Sequence, residues 1–237
     1  MTTEPISFTP RFNAAARISA RRIGREQQPL LIIDDVLENP QDMVAFAASA
    51  RFAQPEKSAY PGLNATAPVR YGQALAEALR PLMHQGFGLP LKGTLRFFSF
   101  MGLTTLKPED MQSIQRIPHF DSPDPYRLAV VHYFCEPAFG GTGFFRHQAS
   151  GFETVTEDRV ALFDQHAGRE VRQGVPEIYT GLKTPYYEPL DKVDAAFNRL
   201  VVYRNNCFHA ALLGGAPLSD DPRKGRLTVN SFISAED

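Results

Sequence analysis

His119-Phe120-Asp121 is the stretch from which the fold of this chain can be worked out. Residues two apart on an extended strand project to the same face, roughly 7 Å apart at the backbone, so His119 and Asp121 can converge on one ion. A third ligand comes much later, where His209 follows the apolar run Leu200-Val201-Val202-Tyr203. The sequence therefore predicts a site of two imidazoles and one carboxylate, built from segments that are distant along the chain.

The segments around these residues read as strands and tight turns. A strand-like run from Arg127 to Phe134 is followed by the turn Gly140-Gly141-Thr142, and Gly225-Arg226-Leu227-Thr228 begins a further strand after a polar loop. Alternation with period two puts Arg226 and Thr228 on one face of that strand and Leu227 on the other. The polar face is predicted to line a pocket.

The chain therefore carries, in order, a His-x-Asp triplet, a Tyr-Phe strand, a Gly-Gly-Thr turn, a strand that leads to His and a Gly-Arg-x-Thr strand. This succession resembles the Fe(II)- and 2-oxoglutarate-dependent dioxygenases, nearest their prolyl-hydroxylase-like branch. Two histidines and one carboxylate also form the facial triad of non-haem Fe(II) oxygenases. The resemblance covers residues 94–147 and 198–233. It implies a double-stranded β-helix, a jelly roll with the iron at its mouth.

The resemblance also implies a role for each matching residue. The metal ligands would be His119, Asp121 and His209. Arg226, with Thr228 beside it, would bind the distal carboxylate of 2-oxoglutarate, because a guanidinium matches a carboxylate with two parallel hydrogen bonds that lysine cannot reproduce. Tyr133 stands where the family often has a phenol that donates to the same carboxylate. The expected cofactor is Fe(II), and the expected cosubstrate is 2-oxoglutarate.

The reaction implied is oxidative decarboxylation of 2-oxoglutarate coupled to hydroxylation of a small molecule or of an amino-acid or peptidyl side chain. Two other functional classes remain open. A jelly roll of the cupin type would bind a metal or small ligand without turnover. A metal-dependent hydrolase would use the same three residues to hold Zn(II) or Mn(II) and activate water.

Each residue also has a purely structural explanation. Asp121 precedes Ser122-Pro123-Asp124-Pro125, so the triplet can be a surface turn. His209 can be a buried structural histidine, and Arg226 can be the first residue of a strand with no ligand. Tyr133 can be a core aromatic, since aromatics are common in strands.

The predicted fold class is mainly β with flanking helices, arranged as one domain over residues 1–237. Three regions are expected: an N-terminal α/β support region at 1–93, a core barrel at 94–147 and 198–233, and a long excursion at 148–197. Helices are predicted after Asn39-Pro40 and from Gly72 to Phe87, packed on one outer sheet face.

Substrate selection is expected in loops near the mouth. Within the excursion a strand is predicted at Val160-Ala161-Leu162-Phe163 and a short helix from Asp191 to Phe197. The excursion also carries three tyrosines that either wall the substrate pocket or pack the excursion onto the barrel: Tyr179, Tyr186 and Tyr187. A second loop, at residues 53–70, could also lie near the mouth.

Composition limits the partners. With 25 basic and 26 acidic residues there is no net field to attract nucleic acid or an anionic membrane. The local basic cluster, interpreted as a solvated helix face, consists of Arg11, Arg17, Arg21, Arg22 and Arg25. The partners expected are a small-molecule or amino-acid substrate, with no nucleic acid and no membrane, and the oligomeric state stays open.

The expected compartment is the cytoplasm. Cys135 and Cys207 are predicted to be buried free thiols, as in reducing compartments. The stretch Met1-Thr2-Thr3-Glu4-Pro5 has neither the charged nor the apolar region of a signal peptide, and no segment reaches membrane-spanning length.

Overall fold

A computed structural model describes residues 7–56 and 60–236 of the chain. Within these residues, ten β-strands accompany three α-helices. The strands are β1 (Arg17–Ile23), β2 (Gln28–Asp34), β3 (Gly62–Thr66), β4 (Thr94–Thr104), β5 (Leu128–Tyr133), β6 (Gly140–His147), β7 (Tyr187–Asp194), β8 (Arg199–Arg204), β9 (His209–Leu213) and β10 (Leu227–Glu236). The helices are α1 (Pro40–Ser49), α2 (Val69–Phe87) and α3 (Glu157–Gln173), and 3₁₀ turns occur at Pro108–Asp110, Ser113–Arg116 and Pro137–Phe139.

The strands form two antiparallel sheets. The large sheet has the order β1-β2-β8-β5-β10-β4-β3, and the small sheet has the order β7-β6-β9. Strand β8 of the large sheet is buried on both faces: Leu200 and Val202 join one apolar cluster, while Val201 and Tyr203 join another. This division follows from the period-two alternation of side chains.

Three apolar clusters define the layers. The first packs α1 and α2 on the outer face of the large sheet, through Met43 of α1 and Leu75 of α2 among others. The second lies between the sheets, where Phe144 of the small sheet meets Tyr203 of the large sheet edge to face at 5.0 Å between ring centroids. The third packs α3 on the outer face of the small sheet. The molecule is therefore mainly β, with helices outside both sheets.

The helices of the N-terminal half confirm the sequence prediction. Helix α1 begins at Pro40, whose missing N–H costs nothing in a first helical turn. Helix α2 buries the stripe that includes Leu75 and Leu79 and ends at Gly88, which adopts a left-handed conformation with φ of 70°.

Two predictions inside the excursion are wrong. The apolar run Val160-Ala161-Leu162-Phe163 belongs to helix α3, and it is Phe163 that packs against the small sheet. A four-residue apolar run does not distinguish a strand from a helix, and here the amphipathic period of the longer segment decides. The segment after Asp191 is strand rather than helix, since β7 runs to Asp194 and pairs with β6.

The basic cluster does not lie on a helix. Arg17, Arg21 and Arg22 belong to the edge strand β1, and Arg21 forms a bidentate ion pair with Asp191 of the small sheet at 2.7 and 3.0 Å. Cys135 and Cys207 are buried free thiols, as predicted. The stretch Met1-Thr2-Thr3-Glu4-Pro5, for which no signal peptide is expected, lies outside the described residues. No helix in the described part of the chain is long and apolar enough to cross a membrane.

Candidate metal centre and carboxylate pocket

The chain from His119 to Asp121 is held extended against the start of β9. His119 donates from its backbone N–H to the carbonyl of His209 at 2.9 Å, and His209 donates back at 2.8 Å. The intervening Phe120 points away, into the cluster under α3, with ring centroids 5.6 Å from Phe163 and 6.0 Å from Phe208. The alternation therefore turns His119 and Asp121 to the opposite face, beside His209.

The three side chains converge on one point. One potential ligand atom from each of His119, Asp121 and His209 lies within 4.8 Å of the other two. The Nε2 atoms of His119 and His209 lie 3.8 and 3.6 Å from the two carboxylate oxygens of Asp121. Two atoms bound to one ion at roughly 2.1 Å are at most about 4.2 Å apart, so small side-chain rotations suffice for all three to share an ion.

Burial shifts the pKa of each of these three groups. It lowers the pKa of His209 to about 4, and burial together with the neighbouring His209 lowers the pKa of His119 to about 4, so both rings are neutral at pH 7. Nδ1 of His209 donates to the Cys207 carbonyl at 3.0 Å, which leaves the Nε2 lone pair for a ligand. Burial also raises the pKa of the Asp121 carboxyl, whose charge has lost much of its hydration.

Arg226 is a buried cation that has no acidic partner among the described residues. Its side chain is almost fully enclosed, and its Nη2 donates to the carbonyl of Gly141 at 3.0 Å. Its Nε is buried without a hydrogen-bond partner among the described residues, and none of their carboxylates pairs with the guanidinium. Desolvating a charge without a counter-ion is costly, so this environment favours a ligand that brings a carboxylate.

The other two residues predicted for this pocket lie behind it. Tyr133 is fully buried with its ring 5.7 Å from the Arg226 guanidinium, and its hydroxyl shares a hydrogen bond with that of Thr142. Thr142 lines the cavity in its place. Thr228 is also fully buried, and its hydroxyl accepts a hydrogen bond from Asn230 at 3.0 Å.

One cavity joins the two groups. It has a volume of about 210 Å³ and lies between the sheets, with His119, Asp121, His209 and Arg226 on its wall. The remaining wall is largely apolar or aromatic and includes Tyr60, Phe100, Ile117, Val131, Tyr179 and Phe232. A ligand bound to the three converging side chains can therefore reach Arg226 without crossing protein.

Tyr203 also lines this site, which the sequence analysis did not predict. Its ring packs against that of His209 with centroids 4.8 Å apart, and it lines the cavity. Period-two alternation in β8 could have indicated it, because Tyr203 shares the inward face with Val201, but the run Leu200-Val201-Val202-Tyr203 was interpreted only as an apolar strand. Thr142 also lines the cavity, a position that the Gly140-Gly141-Thr142 turn motif does not indicate by itself.

Of the three excursion tyrosines, Tyr179 lines the cavity, and its hydroxyl donates to the carbonyl of Leu106 at 3.1 Å. Tyr187 is buried in the cluster under α3, and the hydroxyl of Tyr186 donates to the Gly174 carbonyl at 3.0 Å. These two tyrosines pack the excursion onto the small sheet. Tyr60, in the loop expected near the mouth, also lines the cavity.

The other buried histidines have their own partners. His132 lies on the outer face of the large sheet, between the Tyr71 hydroxyl at 2.9 Å and the Asn198 side-chain oxygen at 3.2 Å. His147 is not a surface residue: it is fully buried under α3, with Nε2 at 2.9 Å from a Glu170 carboxylate oxygen and Nδ1 at 2.7 Å from the Ser150 hydroxyl.

Comparison with solved structures identifies the fold. SnoN from nogalamycin biosynthesis, a non-heme alpha-ketoglutarate-dependent epimerase, matches 89% of this chain and 80% of its own with a TM-score of 0.53 and 14% sequence identity. HygX from Streptomyces hygroscopicus, solved with nickel, 2-oxoglutarate and hygromycin B, matches 90% of this chain and 87% of its own with a TM-score of 0.48 and 12% identity. The resemblance to 2-oxoglutarate-dependent enzymes is thus confirmed at the level of the fold.

Sequence comparisons place the chain in a family. A comparison with curated proteins found no match. The model of one family matches residues 14–233, which include all three helices, strands β1 to β9, most of β10 and every residue of the cavity wall. The chain therefore belongs to the family of unknown function DUF6445.

Proposed function

We propose that this protein is an Fe(II)- and 2-oxoglutarate-dependent oxygenase that hydroxylates a small molecule or an amino-acid side chain. A single observation carries the proposal. One cavity between the sheets holds three converging potential metal ligands and a buried guanidinium without a carboxylate partner among the described residues. The first group fits the iron, and the second fits the far carboxylate of the keto acid.

His119, Asp121 and His209 would hold the iron. Their donor set is two neutral imidazoles and one carboxylate, which suits Fe(II) and leaves coordination positions open. The Asp121 side chain is 20% exposed, and its carboxylate oxygens make no hydrogen bond to any described residue, so a cation would stabilise this unpaired charge. The Cys207 carbonyl fixes the ring orientation of His209.

Arg226 and Thr142 would hold 2-oxoglutarate at its far end. The guanidinium supplies donors in a planar fork, and the Thr142 hydroxyl lies on the same wall of the cavity. Tyr133 would act through its neighbours, since its ring lies beside Arg226 and its hydroxyl is bound to Thr142. We therefore assign Tyr133 and Thr228 a positioning role rather than a direct contact.

When bound, iron and 2-oxoglutarate together supply the O₂-dependent oxidation that the protein side chains lack. The chain's own residues bind and orient these groups and limit the access of water. Ile117 and Val131 contribute apolar surface to the cavity, and Tyr203 covers one side of His209. A low-dielectric wall strengthens the charge interactions of Asp121 and Arg226 with their ligands.

The architecture supports the same proposal. We infer that the two sheets form the double-stranded β-helix expected from the resemblance, within one domain. Residues 1–93 contribute three strands and two helices, and the excursion at 148–197 contributes α3 and β7. The substrate would enter between Tyr60 of one loop and Tyr179 of the excursion, both on the cavity wall.

Succinate formation tests the proposal. The protein with Fe(II), 2-oxoglutarate and O₂ is expected to form succinate slowly without substrate and faster with one. His119→Ala and Arg226→Lys should both reduce that rate, whereas His166→Ala, which changes a histidine outside the cavity, should not.

Two results would replace the proposal with another function. Tight binding of Fe(II) and 2-oxoglutarate without succinate under any condition would indicate a binding protein of the cupin type. Turnover of an ester or amide with Zn(II) or Mn(II) in the absence of O₂ would indicate a hydrolase.

A further inference from the structure

Arg127 is a cation at the edge of the cavity. It directly precedes β5, whose inward residues Ala129 and Val131 line the cavity. Its guanidinium carbon lies 5.4 Å from the ring centroid of Phe232, another residue of the cavity wall. No carboxylate of the described residues lies within 4.0 Å of this guanidinium. Its charge acts on the Asp121 carboxylate at longer range, and its hydrogen-bond donors have no acidic partner among these residues, so they can bind a ligand at the mouth.

An aromatic surface continues from the cavity to the outside beside Arg127. In the pairing of β10 with β4, Phe232 lies opposite Phe98 and Asn230 lies opposite Phe100, so these side chains share the inward face. The ring of Phe100 lies 6.0 Å from that of Phe98 and meets Tyr60 edge to face at 6.0 Å. Phe98 is 59% exposed, which is unusual for a phenylalanine in a sheet. We call Phe98, Phe100 and Phe232 the aromatic platform.

The charges of the cavity limit what can lie on this platform. The charged or titratable groups best placed to bind ligands are His119, Asp121, His209 and Arg226, and the proposed function assigns all four to iron and 2-oxoglutarate. The rest of the wall offers apolar surface, hydroxyls and the amides of Gln115 and Asn230. A substrate ammonium group would find no acidic partner there, and burying it unpaired is costly.

We infer that the substrate is a small acidic molecule with an apolar, ring-bearing body, which lies on the aromatic platform while Arg127 binds its anionic group. This inference rests on the proposed function for the position of the reacting centre. Aromatic rings stack at offset or edge-on geometries and so accept a flat apolar ligand. Arg127 orients the substrate, because a guanidinium binds a carboxylate in a fixed geometry. The same guanidinium lies over the ring of Phe232.

Three matched probes test the inference: 3-phenylpropanoate, 3-phenylpropanamide and 3-phenylpropylamine, which are anionic, neutral and cationic at pH 7. Binding is measured by calorimetry to the full chain with Mn(II) and 2-oxoglutarate at saturation, so that Arg226 is occupied. Phe98→Trp provides a second readout, because the chain has no tryptophan and the new indole reports binding by fluorescence. The anion is expected to bind roughly threefold to tenfold more tightly than the amide, and the amine most weakly.

The variants separate the two parts of the inference. Arg127→Gln should remove the preference for the anion and leave the amide unchanged, whereas Phe98→Ala should weaken all three probes by a similar factor. Arg172→Gln, which removes an exposed arginine of α3, should change nothing. Equal binding of anion and amide by the parent, a preference that survives Arg127→Gln, or no binding of any probe would overturn the inference.

The proposed function can fail separately. If 2-oxoglutarate does not bind, the probe series is repeated without it in Arg226→Gln protein, which eliminates any contribution of Arg226 to the anion preference. If the protein does not bind 2-oxoglutarate but Arg127→Gln still removes the preference for the anionic probe, the oxygenase function is rejected. The inference that Arg127 binds an acidic ligand then stands.

Discussion

The His147 site under α3 and the candidate metal centre between the sheets differ in how the polar atoms of their histidines are satisfied. Under α3, His147 has Glu170 on one ring nitrogen and Ser150 on the other, within a shell of aromatic rings. Between the sheets, His119 and His209 turn their Nε2 atoms toward Asp121 at distances too long for hydrogen bonds. The Nδ1 of His119 is buried without a hydrogen-bond partner among the described residues.

In the proposed function, this difference separates a structural site from a ligand site. Burial alone does not do so, since His147 is more enclosed than His119. Buried polar groups in folded proteins are almost always hydrogen-bonded, and a group of them left unpaired around a cavity needs another explanation. At the candidate metal centre, the proposed cation and the proposed carboxylate ligand would supply it. The variants below test this distinction, from the largest expected effect to the smallest.

Removal of one converging ligand should have the largest effect. His119→Ala, Asp121→Ala and His209→Ala are each expected to weaken Mn(II) or Fe(II) binding by at least about 100-fold, because even changes to groups that only support a ligand cost 10-fold to 100-fold. Calorimetric titration measures the affinity, and circular dichroism checks that the fold survives. His166→Ala is the control. Unchanged affinity in all three variants would end the metal assignment.

Changes at the His147 site under α3 should have the opposite effect: they should lower stability and leave metal binding unchanged. Glu170→Ala leaves the His147 Nε2 buried without its partner, which is expected to lower the free energy of unfolding by about 1–3 kcal/mol. Metal affinity should stay at the parent value, since the change lies on the outer face of the small sheet. Urea denaturation and metal titration of the same sample decide the matter. A loss of metal binding without a loss of stability would contradict the distinction.

His132 sharpens the comparison through its pH dependence. Burial lowers the pKa of His132 to about 3, and its neutral form is fully bonded: Tyr71 donates to Nδ1, and Nε2 donates to the Asn198 oxygen, which already accepts from the Leu37 N–H. Because the folded pKa lies below the unfolded value of about 6.5, the unfolded state takes up the proton first, and stability falls as the pH drops from 6.5 toward 3.

The expected size of that loss is about 2 kcal/mol between pH 6.5 and pH 5. His132→Gln should remove this part of the pH dependence, so that its unfolding free energy falls less steeply than the parent's over the same range. Urea denaturation at pH 7, 6 and 5 measures both slopes. Parallel slopes for parent and variant would show that His132 titrates normally in the folded protein.

Arg226→Lys should have a smaller and more selective effect. Lysine keeps the charge but loses the fork geometry, so affinity for 2-oxoglutarate should fall roughly tenfold, or about 1.4 kcal/mol. Affinity for the metal alone should not change, because Arg226 binds the far end of the keto acid in the proposed function. Calorimetry with Mn(II) present measures both. An unchanged keto-acid affinity would place the carboxylate elsewhere.

Much of this molecule could be predicted from local sequence patterns. Period-two alternation predicted that Leu227 faces away from Arg226 at the start of β10, and the 3.6-residue period predicted α2. The convergence of His119, Asp121 and His209 was predicted from the His-x-Asp alternation and from the order of motifs that the chain shares with a known family. Their ligand role stays a prediction until a metal is bound.

These patterns do not predict which partners an individual side chain contacts. Nothing local distinguishes Tyr133, whose hydroxyl is bound by Thr142, from a tyrosine that faces the cavity. His147 depends on Glu170, which lies 23 residues further along the chain, on a helix whose amphipathic pattern was mistaken for a strand. The sequence alone does not single out Arg127 or Phe98 as binding residues. They can act together only because β10 lies between β5 and β4 in the sheet and the cavity lies beside these strands. Such contacts depend on the packing of distant elements.

Anaerobic reconstitution with Fe(II) and 2-oxoglutarate tests the central claim most directly. If the cavity binds iron through the two imidazoles and the carboxylate, and the keto acid chelates that iron, a visible metal-to-ligand charge-transfer band should develop and saturate at one equivalent of each. The band should be absent in Asp121→Ala and should need more 2-oxoglutarate in Arg226→Lys. A folded protein that gives no band with both components in excess, or an undiminished band in Asp121→Ala, would contradict the claim that this cavity is an iron and 2-oxoglutarate site.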